Sequence, residues 1–267
     1  MIPSLRYSSL EFLGLQLQTH GLFAASGLLV WYCASLYLAR KRGLDTYPLL
    51  VSIPVAAVVG AITGHQLFLL TSPQRVPTSS APFDLWAGQS MQGVVVGGAI
   101  AVCVALIVTI RIAHPKASGT DKSSLFAQYA DTVGAMLPLG IALTRIGCFL
   151  IHEKPGRQTS FVLGVRGGCS DGSMFTACHD LALYEVIATA LFAVFACFRL
   201  SRDVRVMIAP SFVIYYGVFR AMVSLLEDRN PPSFSVVGQA YLATAALGVV
   251  MQVAATRVST RRATPPA

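Results

Sequence analysis

Residues Leu125–Leu150 read LFAQYADTVGAMLPLGIALTRIGCFL, and the chain continues as IHEKPGR to Arg157. The apolar part exceeds the roughly 20 residues that a helix needs to cross a bilayer. It then ends in a burst of chemistry: Arg145, Cys148, His152, Glu153, Lys154 and Arg157 fall within thirteen positions (157 − 145 + 1). Ionisable groups at membrane depth are expensive and by default mark a functional site. The competing reading is an ordinary helix end with snorkelling basic residues. Because the segment is overlong, its last turns are expected to tilt or unwind near Gly147.

The rest of the chain fits a membrane setting. Of 267 residues 54% are hydrophobic and only 12% charged, with a mean hydropathy of +0.63. A soluble domain carries about 25% charged residues. The net charge of +8 is scattered in short clusters between apolar runs, which marks topology rather than a nucleic-acid face. A cleavable signal peptide is not expected, since Arg6 and Glu11 precede a first apolar run too long for one.

Seven segments are long and apolar enough to span: about Gly21–Ala39, Pro48–Leu70, Gly93–Ile112, Leu125–Leu150, Leu181–Phe198, Val206–Leu226 and Val236–Ala255. The expected fold is therefore an all-α polytopic membrane protein, a single domain over residues 1–267. Twelve of the twenty basic residues lie in alternate connections: Arg40, Lys41, Arg42, Arg111, Lys116, Lys122, Arg199, Arg202, Arg205, Arg257, Arg261 and Arg262. The other eight are Arg6, Arg75, Arg145, Lys154, Arg157, Arg166, Arg220 and Arg229. The positive-inside rule then puts the N-terminus outside and the C-terminus in the cytoplasm. Residues 151–180 become an external connection too long for a plain turn. A small extracytoplasmic head between the fourth and fifth helices is expected there, with Phe161–Val165 as a short strand. Cys169 and Cys178 both fall in it and are either free or paired, because spacing alone does not fix geometry.

Other polar groups interrupt the apolar runs: His20-Gly21, Ser90-Met91-Gln92-Gly93, Leu183-Tyr184-Glu185, and Tyr215, Tyr216, Arg220 and Ser224. On the inferred topology they converge on the outer leaflet, as a shared cavity requires. Guanidinium matches phosphate geometry and stays charged where the dielectric is low. A cavity lined by Arg145 and Arg220 suits a phospholipid head group, and Glu153 or Glu185 could fix an arginine fork. His20 and His152 are candidate bases near neutral pH. An Arg–Glu pair that merely joins helices is the plainer alternative. His65 reads as a hydrogen-bonded interior residue and His114 as a solvated one. No Cys-x-x-Cys or His-Glu-x-x-His spacing occurs, so neither metal nor cofactor is expected.

These motifs together resemble the prolipoprotein diacylglyceryl transferase family of bacterial inner-membrane enzymes. Arg145, Gly147, Phe149, Glu153, Gly156 and Arg157 match its signature, preceded by Asp131, Leu139 and Gly140. Leu183-Tyr184-Glu185 matches its Leu-Tyr-Glu, and Tyr216-Gly217-Val218-Phe219-Arg220 its Tyr-Gly-x-Phe-Arg. The departures mark a divergent branch. Ser90-Met91-Gln92-Gly93-Val94 stands for Ser-Phe-His-Gly-Gly, His20-Gly21 for Tyr-Gly, Cys148 for an asparagine and Ser224 for a glutamate. His152 and Pro155 are also unusual.

The resemblance implies transfer of a diacylglyceryl group from phosphatidylglycerol to the lipobox cysteine thiol of a prolipoprotein signal peptide, within membrane lipid. Arg145 and Arg220 are expected to hold the phosphate and Glu153 to orient the head group, while His152 or His20 assists proton removal. Ser90, Gln92, Gly93, Cys148, Arg157, Tyr184, Glu185 and Tyr216 are expected to line the substrate. Gln92 for histidine and Ser224 for glutamate leave open a catalytically silent lipid binder. A transporter is the remaining alternative, although no internal repeat supports it.

Overall fold

The computed structural model describes residues 1–3, 7, 9–12, 15–71, 90–153, 155–167, 169, 176–201, 207–227 and 236–263. Arg6, Arg75, Lys154, Gly168, Gly172, Arg202, Arg205 and Arg229 lie outside them, as do the side chains of Gln92, Arg257, Arg261 and Arg262. Among the described residues there are seven helices: α1 (Thr19–Lys41), α2 (Tyr47–Thr71), α3 (Met91–Ala113), α4 (Gly119–Leu150), α5 (Leu181–Ser201), α6 (Ile208–Ser224) and α7 (Val236–Ala263). Five are long and apolar enough to cross a membrane, and two shorter apolar stretches lie at Ile208–Ser224 and Gly238–Val253. Leu29, Val58, Ile100, Val104, Leu191, Val194, Met222 and Val250 are each more than half exposed. Water would penalise such faces, whereas hydrocarbon does not. The chain is a mostly helical, polytopic membrane protein.

It divides into two compact units. One comprises Met1–Trp31 with Val133–Ala267, the other Tyr32–Thr132. In the second, α2 and α3 pack along their length, with Thr63 Oγ1 donating to the Gly93 carbonyl at 2.8 Å. Tyr129 is fully buried and donates to the Asp45 carbonyl at 2.8 Å. His65 is fully buried in α2, and His114 is half-buried just after α3.

The first unit holds the charged residues singled out above. Trp31 Nε1 donates to the Val133 carbonyl at 3.1 Å, tying the two helices together. A Cβ on Gly140 would come within 2.8 Å of the Gly27 carbonyl, so small residues let these backbones approach. α4 does not unwind near Gly147 but runs unbroken to Leu150. The reason is packing: a Cβ on Gly147 would sit 2.7 Å from Phe23 Cβ, so this glycine serves close approach rather than a break.

The fold is not all-α. β1 (Ile2–Pro3), β4 (Pro155–Gln158), β5 (Val165–Arg166) and β6 (Ala177–Asp180) form a sheet in the order β1-β5-β6-β4. β1 runs parallel to β5 in the register Ile2 to Val165, and β6 is antiparallel to both β4 and β5. A second hairpin joins β2 (Ser9–Phe12) to β3 (Leu15–Gln18). The strand expected at Phe161–Val165 is confined to Val165–Arg166. Before it, Gly164 N–H donates to the Phe161 carbonyl and Phe161 N–H to Thr159 Oγ1, making a turn. Cys169 and Cys178 form a disulfide, which clips the segment after β5 onto β6.

The end of α4 is unusual. His152 N–H donates to the Phe149 carbonyl and Glu153 N–H to the Cys148 carbonyl, at 3.1 Å each. Together they are the paired bonds of a Schellman helix stop. The residue that must turn left-handed is normally glycine; here it is His152, at φ 49°. Its imidazole explains why the turn holds. Nδ1 lies 2.8 Å from Asp180 Oδ2, while Asp180 Oδ1 accepts the Leu183 N–H at 3.1 Å, capping the start of α5. One carboxylate thus begins α5 and locks the end of α4.

Candidate functional site

Arg145 lies one turn before the end of α4, Glu185 on the second turn of α5, and Tyr216 and Arg220 one turn apart on α6. Arg145, Glu185 and Arg220 are each at least 97% buried. Arg220 Nη1 pairs with Glu185 Oε1. Arg145 Nε sits 2.7 Å from Glu185 Oε2, an ion pair without the in-line geometry of a hydrogen bond. The Tyr216 hydroxyl donates to the same Oε2 at 3.0 Å. Tyr241 of α7 covers Arg220, with Cζ 4.9 Å from the ring centroid. This cation–π contact depends on Gly217, where a Cβ would come within 2.7 Å of the Tyr241 carbonyl.

Two guanidinium groups against one carboxylate leave the buried cluster a net positive charge. Uncompensated charge in a low-dielectric site is costly and favours an anionic ligand. Arg145 Nη2 and Arg220 Nε are buried without a hydrogen-bond partner, so the cluster also retains unused donors. Sequence reading left Glu153 and Glu185 as alternatives for the fork. Geometry assigns it to Glu185, because Glu153 is exposed just past the α4 stop.

Beside this cluster stands a second group. Arg145 Nη1 donates to Cys148 Sγ at 3.6 Å, and Cys148 Sγ lies 3.5 Å from His20 Nδ1. Glu153 completes it, one ligand-type atom of each of the three residues lying within 4.8 Å of the others. The Schellman stop explains that meeting, since it folds the residue after His152 back over Cys148.

The remaining candidates are placed elsewhere or only in part. His152 is buried with Nδ1 taken by Asp180. Tyr184 Oη lies 2.6 Å from His179 Nδ1. Arg157 Nε donates to the Glu227 carbonyl at 3.1 Å. Ser90, Gln92 and Gly93 open α3 in the other unit. Asp180, His179 and Tyr241 were not candidates from sequence. The signal for Asp180 was its place directly before an apolar run, as a helix N-cap. Outside the spans, partial burial holds the His179 imidazole below its usual pKa.

The buried arginine–glutamate–arginine cluster lies among apolar helices, α4 and α5 long enough to cross a membrane, so the class is a polytopic membrane protein with a charged interior. More narrowly, the chain belongs to the prolipoprotein diacylglyceryl transferase family, whose model matches residues 8–259. Three relatives named phosphatidylglycerol–prolipoprotein diacylglyceryl transferase give the scale. The protein of Caulobacter sp. (strain K31) is 28% identical over 205 residues, covering 68% of this chain and 62% of the relative. That of Geobacter sulfurreducens is 25% identical over 229 residues, covering 81% and 80%. That of Symbiobacterium thermophilum is 24% identical over 246 residues, covering 88% and 86%. The match to the Caulobacter protein thus spans less than two thirds of that relative's length.

Proposed function

We propose that the protein is a phosphatidylglycerol–prolipoprotein diacylglyceryl transferase of the bacterial inner membrane. It is read as one seven-span domain, with the N-terminus and the β4–β6 segment outside and the C-terminus in the cytoplasm. The observation that carries this is the buried Arg145–Glu185–Arg220 cluster, with its surplus positive charge and unpartnered donors. In the reaction a thiolate sulfur of the lipobox cysteine attacks the glycerol carbon that bears the phosphate ester. The C–S bond forms, the C–O bond breaks, and glycerol phosphate departs with the electron pair. Negative charge on the departing phosphate grows as that bond breaks, so arginines fixed there stabilise the transition state more than the ground state.

Glu185 holds both guanidinium groups in register, and Tyr216 fixes Glu185. His20, exposed beside Cys148, and His152, whose Nε2 has no partner behind its Nδ1 contact with Asp180, are the two candidates to take the thiol proton. Purified protein with phosphatidylglycerol and a lipobox peptide should release glycerol phosphate and form the thioether. Arg145→Ala or Arg220→Ala should each lower that rate roughly a hundredfold or more, the scale of a lost preorganised donor. Wild-type rates in either variant would defeat the proposal. Binding of phosphatidylglycerol without glycerol phosphate release would favour the silent lipid-binding relative, to which Gln92 and Ser224 point. Complementation of a strain depleted of its own transferase tests the same reading in cells.

A further inference from the structure

His20, Cys148 and Glu153 meet from separated parts of the chain, the first two 128 positions apart. Their pattern is convergent. In a nucleophile–base–orienter relay the carboxylate would sit behind the imidazole, but Glu153 lies within hydrogen-bonding reach of the thiol itself. All three ligand-type atoms face one another within 4.8 Å. We infer that His20, Cys148 and Glu153 form a binding site for a zinc-class divalent cation.

Geometry supports this. A tetrahedral zinc ion with Zn–S near 2.3 Å and Zn–N near 2.05 Å requires a sulfur–nitrogen separation of about 3.6 Å. The Cys148 Sγ to His20 Nδ1 distance is 3.5 Å. A carboxylate oxygen of Glu153 lies within 4.8 Å of the other two ligand atoms, and the side chain is exposed rather than wedged in the core. Charge supports it too. A thiolate and a carboxylate together cancel a divalent ion, so the loaded cluster adds no net charge beside Arg145. That guanidinium is itself paired with Glu185 and donates to the sulfur, as partners of metal-bound thiolates do. Cys148 also sits in the last turn of α4, whose carbonyl end favours a cation. The donor set of one sulfur, one nitrogen and one oxygen selects a borderline-soft transition ion over magnesium or calcium.

Three protein ligands leave a fourth position open, the arrangement of catalytic rather than structural zinc sites. His20 is exposed at the start of α1, so that position is reachable from outside the protein. An incoming thiol would take it as thiolate, releasing its proton to water, with His20 acting as ligand instead of base. Metal binding itself does not depend on the transferase reading and is measured separately.

The test uses the full chain in detergent micelles, stripped with chelator and titrated with zinc by calorimetry and with cobalt by absorption. One zinc per chain should bind, and cobalt should show a thiolate charge-transfer band. Cys148→Ser should abolish that band, and Cys148→Ser, His20→Ala and Glu153→Gln should each weaken zinc binding roughly a hundredfold or more. His20 and Glu153 are exposed, so their variants should melt like the wild type without metal and separate ligand loss from misfolding. Absence of saturable one-to-one binding, or Cys148→Ser titrating like the wild type, would overturn the assignment. Transfer activity that persists in zinc-free protein leaves the binding result standing and removes only the thiolate role.

Discussion

Glu185→Gln tests the central cluster most sharply. At an effective dielectric constant of 20, a guanidinium–carboxylate pair with charge centres about 4 Å apart gains about 4 kcal/mol, so two pairs gain about 8. Removing the carboxylate forfeits this and leaves Arg145 and Arg220 repelling one another across the vacated charge. Releasing a carboxylate from burial returns several kcal/mol of desolvation, so the net loss should be about 3–5 kcal/mol, the cost of breaking a buried pair. The double variant Glu185→Gln/Arg220→Met restores the original net charge of plus one. It should therefore be more stable than Glu185→Gln alone, although it carries more changes. Unfolding in micelles, followed by far-ultraviolet circular dichroism, measures four proteins: wild type, Glu185→Gln, Arg220→Met and the double variant. The reasoning fails if Glu185→Gln stays within about 1 kcal/mol of wild type, or if the two losses simply add.

His152→Ala should destabilise by about 2–4 kcal/mol, since it leaves a buried Asp180 oxygen unpaired and keeps a side chain in the left-handed region. His152→Gly should recover about 1 kcal/mol of that strain, giving melting points in the order wild type, Gly, Ala; Ala at or above Gly would refute the helix-stop account. Burial lowers the His179 pKa from 6.5, so the unfolded chain takes up the proton first as pH falls. Stability from this group is complete above pH 6.5, drains away as the pH drops toward the lowered folded value, and should become flatter with pH in His179→Asn. A pH–melting profile identical in that variant would refute it.

The helices were legible because uninterrupted apolar runs of spanning length leave little choice, and all seven expected segments fall within or within two residues of the helices found. Arg145 and Arg220 stood out for the converse reason, as charges where hydrocarbon was expected. Which carboxylate they shared was not legible. Glu153 is nearer in sequence, yet the stop at His152 turns it away from the fork and over Cys148, and that stop carries no glycine to announce it. The hairpin of β2 and β3 is written as alternation through Leu10, Phe12, Leu15 and Leu17. It was obscured because Arg6 and Glu11 nearby weigh on topology instead. The cluster of His20, Cys148 and Glu153 escaped a search for local ligand spacing because its members are joined only by the fold.

The parallel pairing of β1 with β5 also bears on biogenesis. Ile2 leaves the ribosome ahead of its partner Val165, which follows 165 − 2 = 163 positions later, roughly 8–30 s at ordinary elongation rates. For that interval the leading segment has crossed or reached the bilayer with no strand to join. Its docking must therefore wait until α1 to α4, which lie between the two strands, have been made.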